Sequence, residues 1–216
     1  MNIVKKFVKR VVKYLRLFYR KIKRKKLLNN NPSIISRDCI GGVIYHDLYL
    51  EFLSPTVNLF FEKDDFIKFT NNLFGYLSSE VTEIRLPNVS YPVGEITYKG
   101  QPVKIFFMHY KTFEEARDKW NERVSRINKD NIFIINHIAS DLTKSDIDKF
   151  EALPFKNKVL ITYENPTNSK DIKVLDLYTK PEYRPGKVLE YKSSISIKRY
   201  IDDFDYVSFF NKKFKV

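Results

Sequence analysis

Between residues 4 and 22 the apolar side chains Val4, Phe7, Val8, Val11, Leu15, Phe18 and Ile22 recur at steps of three and four. That spacing gathers them on one face of a helix, with Lys and Arg on the other. A polar NNNPS at 29–33 then interrupts the pattern and reads as a hinge. Beyond it, short apolar runs alternate with helical ones. SIIS at 33–36 predicts a short strand, and VKIFFM at 103–108, NIFIIN at 131–136 and KVLITY at 158–163 predict stronger ones. Asp64 and Asp65 are placed to cap a helix running to about Leu77, with Phe66, Ile67, Phe69, Leu73 and Leu77 inward. TFEE at 112–115 has the form of a capping box opening a helix to about Asn128, and TKSD at 143–146 starts a shorter one before Pro154.

Strands separated by helices favour parallel pairing and a covered sheet. The expected fold is α/β: a three-layer domain with a mostly parallel sheet, an antiparallel edge near Tyr91–Tyr98, and a basic amphipathic helix in front. The expected division is a helical arm at 1–28, a hinge at 29–33, one α/β domain at 34–211 and a basic tail at 212–216.

Charge changes the picture of the arm. The net charge is +13, but twelve of the 39 Lys and Arg fall in residues 1–26, which hold none of the 26 Asp and Glu. The rest of the chain is within one charge of neutral. The arm has no uninterrupted apolar run of membrane-spanning length, and charges interrupt it too often for a signal peptide. Its form suits an anionic membrane surface, with Lys5, Lys9, Arg10 and Arg16 near headgroups and Phe7, Val11, Leu15, Phe18 and Ile22 in the apolar boundary. An apolar stripe has no use on phosphates, which argues against nucleic acid. Docking on the chain's own domain or on a partner is the alternative.

Candidate chemistry clusters where predicted strands end, which is where α/β folds hold ligands. RDCIGGVIYHD at 37–47 joins Asp38, the sole cysteine Cys39, Gly41, Gly42, His46 and Asp47. His109-Tyr110 follows the second strand, and His137 to Asp141 follows the third. One cysteine excludes an internal disulfide and a multi-cysteine zinc site. It reads as a buried, inert thiol, and becomes a nucleophile only if a neighbour such as His46 lowers its pKa. Gly41-Gly42 reads as a tight turn, with an anion-accepting turn as the alternative. His109, His46 and Asp47 are the candidate acid/base groups. Phosphate-binding glycine loops, H-E-x-x-H and G-x-S-x-G are missing, as is the histidine-aspartate spacing of glycerolipid acyltransferases. Asp203-Phe204-Asp205 has the D-x-D spacing of many glycosyltransferases, in an aromatic context that weakens it. No metal set and no cofactor emerges.

Arg123 stands out because it lies on the stripe of Ala116, Trp120 and Ile127. A cation on a core-facing stripe needs a partner. The partner is either an internal carboxylate, such as Asp38 or Asp141, or a ligand's phosphate or carboxylate. Arg126 lies off the stripe and faces solvent.

GGVIYHDLYLEFLSPTVNLFFEKDDFIKF, YPVGEI, the pattern H-Y-x3-E-E-A-x2-K-W-x2-R, ALPFKNKVLIT and FDYVSFFN together resemble the bacterial family catalogued as domain of unknown function 1919. The resemblance runs from Ile34 to Asn211 and leaves out the arm. Its pattern falls on Cys39, Gly41, Gly42, His46, Asp47, His109, Tyr110, Trp120, Arg123 and Arg126, among others. It implies exopolysaccharide or capsule biosynthesis.

Two functions are compatible with these features. One is a transferase in the bacterial cytoplasm, peripheral on the inner membrane face, acting on a lipid-linked glycan. An activated donor would lie on Arg123, Tyr110, Gly41, Gly42, Asp38 or Asp141, and His109 or His46 would deprotonate the acceptor. The other is a non-catalytic membrane-attached partner of polysaccharide enzymes, with Phe209, Phe210 and Phe214 as an interface or the C-terminal FFNKKFKV as a second membrane contact.

Overall fold

A computed structural model describes residues 3–163, 169–175 and 186–214. Two β-sheets organise it. The larger is parallel, with strand order β1 (Ser33–Ser36), β5 (Ile132–His137), β6 (Lys158–Thr162), β7 (Ile172–Val174). The smaller is antiparallel, formed by β2 (Val81–Ile84), β3 (Val93–Tyr98) and β4 (Gln101–Phe106) in that order. The helices are α1 (Ile3–Lys26), α2 (Ile40–Asp47), α3 (Lys63–Asn71), α4 (Leu73–Leu77), α5 (Phe113–Val124), α6 (Lys144–Glu151) and α7 (Tyr206–Phe210).

The parallel sheet separates two apolar cores because successive strand residues point to opposite faces. Ile35, Ile132, Ile134 and Leu160 join Phe61, Phe66, Phe69, Trp120, Ile147 and Phe150 on one side. Ile34, Phe133, Ile135, Val159 and Ile161 join Ile40, Ile44, Tyr45 and Phe210 on the other. The result is the expected α/β domain, mostly parallel in its main sheet, with the N-terminal helix present.

Four local expectations change. VKIFFM is a strand but not part of the parallel sheet: Val93–Tyr98 folds back on it, and its short Lys99-Gly100 turn forces antiparallel pairing. The helix from Asp64 breaks at Asn72, giving α3 and α4, and its N-cap is Glu62. Segment 29–33 is not a free hinge. Asn29 is buried, its Nδ2 donates to Asn131 Oδ1 at 3.1 Å and the Phe210 carbonyl at 3.1 Å, and Asn131 Nδ2 reaches Asn31 as well. Phe209 and Phe210 are buried against Phe133 rather than exposed, because α7 closes the second core. The Phe214 side chain and the end of the tail lie outside the described residues. Thr143 and Asp146 form the capping box reciprocally, and Thr112 accepts from the Glu115 N–H.

Candidate active site

α1 lies on the domain by its polar side. Val12 is buried, and the polar face of the same helix follows it down. Arg16 Nε donates to the Ser196 carbonyl at 2.9 Å, and the guanidinium sits 3.5 Å over the Tyr191 ring. Arg20 pairs with Asp47 at 3.3 Å, and Lys23 Nζ lies 2.5 Å from Asp202 Oδ1. Burial pushes the Lys23 ammonium below its ordinary pKa, while Asp202 opposes that shift. The apolar stripe is left outside: Phe7 is 67% and Phe18 63% exposed, and Val4, Val8, Val11, Leu15 and Ile22 are exposed too. Lys5, Lys9 and Arg10 remain exposed beside it. Arg16 is turned from the expected headgroup side to the domain, because the loop carbonyls of Ser193, Ser194 and Ser196 point at it. No described helix is long and apolar enough to cross a membrane.

The cleft opens beyond the C-terminal ends of β1 and β5, with a volume of about 770 Å³. Asp38 and Cys39 enter it from the turn between β1 and α2, His137 from the end of β5, and His109 from the turn after β4. Asp38 Oδ2 accepts the His137 Nδ1 proton at 2.6 Å, and His137 Nε2 lies 2.7 Å from the Tyr163 hydroxyl. Burial pushes the Asp38 carboxyl up, but the His137 ring, that hydrogen bond and the Ile40 N–H outweigh it, and the net value is below the ordinary carboxylate range. With Asp38 ionised, Nδ1–H is fixed toward it, and in the neutral ring Nε2 accepts the Tyr163 proton.

Cys39 Sγ lies 3.3 Å from His109 Nε2. Burial, helped by the neighbouring Asp38, pushes the thiol up to about 12. The thiol therefore stays protonated near neutral pH and is a weak hydrogen-bond donor to an exposed imidazole. A substrate hydroxyl can displace so weak a donor from His109.

The structure brings together Asp38, Cys39, His109, His137 and Asp141 of the candidate strand-end residues, and adds Arg37 and Lys63. The others lie elsewhere. Gly41 and Gly42 are not in a turn; they are the first turn of α2, buried. The Gly41 N–H donates to Ser36 Oγ at 3.1 Å, and a Cβ there would meet that oxygen at 2.5 Å. Gly41 lets α2 pack closely on β1, Gly42 faces Val57, and the Gly41 N–H is not offered to an anion. His46 is exposed, with Nδ1 3.3 Å from Asp47 Oδ1. Asp47 is buried between Arg20 and Arg199, holding α1 rather than lining the cleft.

Arg123 is buried and donates to the Val57 carbonyl at 3.2 Å and the Tyr110 hydroxyl at 2.7 Å. Phe52 covers its guanidinium at 5.4 Å. Its described partners are thus neutral, and neither Asp38 nor Asp141 is among them. A carbonyl and a phenol were unreadable as partners because neither leaves a charge in the sequence. Asp203 pairs with Lys192 at 2.6 Å and Asp205 caps α7 through the Ser208 N–H, so both carboxylates of the D-x-D serve local structure. Among the described residues no group of three or more His, Cys, Asp or Glu is arranged to hold a metal ion.

The profile of the family described as Domain of unknown function (DUF1919) matches residues 10–211. The chain belongs to this family. The match starts inside α1, so the domain of unknown function 1919 family includes much of the helix, against the expectation that the arm lies outside it. A protein of Haemophilus influenzae, itself described as uncharacterized, is 36% identical over 211 residues, covering 98% of this chain and 99% of that one. Tyr163 and His137 were missed as a pair because the residues joined by this contact are 26 positions apart; the only sequence signal was that both close predicted strands.

Proposed function

We propose that this member of the domain of unknown function 1919 family is a peripheral transferase of surface-polysaccharide biosynthesis, acting on a lipid-linked glycan at the inner face of the bacterial membrane. The double orientation of α1 carries the reading. Its inner cations, Arg16, Arg20 and Lys23, fix it to the domain, and its uncovered stripe, flanked by further cations, is free for an anionic bilayer. A second copy would bring the two sets of lysines together, which like-charge repulsion disfavours.

The cleft supplies the chemistry. His109 takes the proton of an acceptor hydroxyl, whose oxygen bonds to the transferred group as the leaving group departs with its electron pair. Asp38 and His137 hold the floor beside it in one tautomer. A second reading, a non-catalytic partner of polysaccharide enzymes, is favoured by one observation. Arg37 and Lys63, the cations lining the cleft among the described residues, are both engaged by the protein itself.

The test replaces the chromosomal gene in the producing bacterium by His109→Ala, and separately by Phe7→Ser with Phe18→Ser. Surface polysaccharide composition and protein abundance are measured. The transferase reading expects both strains to lose polymer at normal protein level. Unchanged polymer in His109→Ala, with loss in the helix variant, transfers the function to the partner reading.

A further inference from the structure

We infer that the cleft receives the apolar portion of an amphiphile, a single acyl or prenyl chain, and not the polyphosphate of a nucleotide donor. The inference deepens the transferase reading and rests on it only in treating this cleft as the substrate site.

The lining decides the class. Phe60, Met108, Ile138, Ala139, Val188 and Leu189 give the cleft an apolar wall beside its polar groups. Met108 is 39% exposed there, a flexible thioether suited to an adaptable apolar contact. The volume, about 770 Å³, falls within the range of sites for drug-sized ligands. Leaving such a surface open to water is unfavourable, and a hydrocarbon chain removes that cost.

The charges point the same way. Arg37 Nε donates to the Phe61 carbonyl at 3.1 Å and its Nη1 to the His137 carbonyl. Lys63 Nζ bonds Asp146 Oδ2 at 2.8 Å and the Asp141 carbonyl at 3.2 Å. A pyrophosphate would share these cations with their existing partners while lying beside the ionised Asp38. The Gly41 N–H, the other candidate phosphate donor, is held by Ser36.

The polar groups that face the cleft include two sets: Lys63 with the Asp141 carbonyl, and Asp38, His137, Cys39 and His109. Asp38 bonds His137, and its chain neighbour Cys39 contacts His109. Polar groups beside an apolar wall match the two parts of an amphiphile. The wall is also tied to the membrane helix: Arg199 donates to the Leu189 carbonyl and to Asp47, which pairs with Arg20 of α1.

The test uses the full chain and dansyl-undecanoate, whose fluorescence rises in apolar surroundings. Binding is measured without vesicles, with oleate, farnesyl monophosphate and uridine diphosphate as competitors. We expect binding that survives Phe7→Ser with Phe18→Ser, and that weakens about tenfold or more in Met108→Glu, which puts a charge against the chain. Ala139→Trp, which fills the cleft without charge, must weaken it as well, so a folding defect in one variant does not decide the matter. Oleate or farnesyl monophosphate displaces the probe and tells the acyl from the prenyl source; uridine diphosphate does not. Binding abolished by the helix variant but untouched by both cleft variants overturns the inference, as does a silent probe with uridine diphosphate binding sensitive to Met108→Glu. Flotation of the same variants on vesicles of phosphatidylglycerol and phosphatidylcholine reports separately on membrane attachment, which Met108→Glu leaves intact.

Discussion

Asp38 accepts the Nδ1 proton of His137 at 2.6 Å although the two are 99 residues apart in the chain. Parallel pairing of β1 with β5 makes them neighbours: Ser36 aligns with Ile135, and each chain then runs on into the cleft.

This pair makes stability depend on acid. The folded Asp38 carboxyl lies below its ordinary value, and so does that of Asp146, where burial opposes and Lys63 and Thr143 prevail. A depressed carboxyl stabilises fully above the unfolded value of about 3.9, and the stabilisation is lost as pH falls through the folded value. Urea midpoints measured from pH 7 down to pH 3 should therefore fall for the wild type. Asp38→Asn should lower the midpoint at pH 7, reflecting a stability loss of about 1.5–3 kcal/mol for a charge-assisted bond, and flatten the acid limb.

Cys39 should alkylate slowly. With the thiol raised to about 12, thiolate at pH 8 is scarcer than for a free cysteine near 8.5, by about three orders of magnitude. Iodoacetamide modification followed by mass spectrometry should be far slower than in unfolded protein and should accelerate with pH. Rapid modification at pH 7 would show that His109 extracts the proton and that the thiol is not inert.

Gly41→Ala should destabilise. Its Cβ would stand 2.5 Å from Ser36 Oγ and 3.1 Å from Ser36 Cβ, on a side chain already bonded to the Asp38 carbonyl at 2.7 Å. Overpacking of this kind costs about 1–3 kcal/mol, read as a drop in melting temperature. Gly41→Ala with Ser36→Ala should recover part of it.

Arg123→Met and His109→Ala should separate structure from chemistry. Removing the guanidinium deprives the Val57 carbonyl and Tyr110 hydroxyl of their shared donor, at about 1–3 kcal/mol. His109 is exposed, so His109→Ala should leave the stability within about 0.5 kcal/mol of wild type, with little change in melting temperature. On the proposed transferase reading, polysaccharide output should track protein abundance in the first and fall without it in the second.

Asn136 offers a stabilising change. It is fully buried on β5, and neither polar atom of its amide has a hydrogen-bond partner among the described residues. Asn136→Leu removes an unpaired buried group, worth about 1–3 kcal/mol, and should raise the melting temperature. A lower one would show that the amide makes a stabilising contact.

Local physics made much of this protein readable. The three-and-four spacing of the arm, the β-branched runs of β1, β5 and β6, and the Thr143 and Thr112 caps act over a few residues, so the sequence displays them directly. It also placed His109, Asp38 and Asp141 near strand ends, and all three line the cleft. What it could not display depends on residues far apart in the chain. Periodicity showed that α1 has two faces, but only Asp47, Asp202 and the Ser193–Ser196 carbonyls determine that the cationic face turns inward. A short apolar run marked β4 as a strand, but the close turn before it, and not its own residues, assigned it to the antiparallel sheet. Glycine's permissiveness is visible in any sequence; that Gly41 serves contact with Ser36 and not a turn is set by how α2 crosses β1. Propensity and amphipathicity are properties of neighbours in sequence, whereas the partner of a charge or a hydroxyl is chosen by packing, and here packing chose both the outward side of the helix and the residues of the cleft.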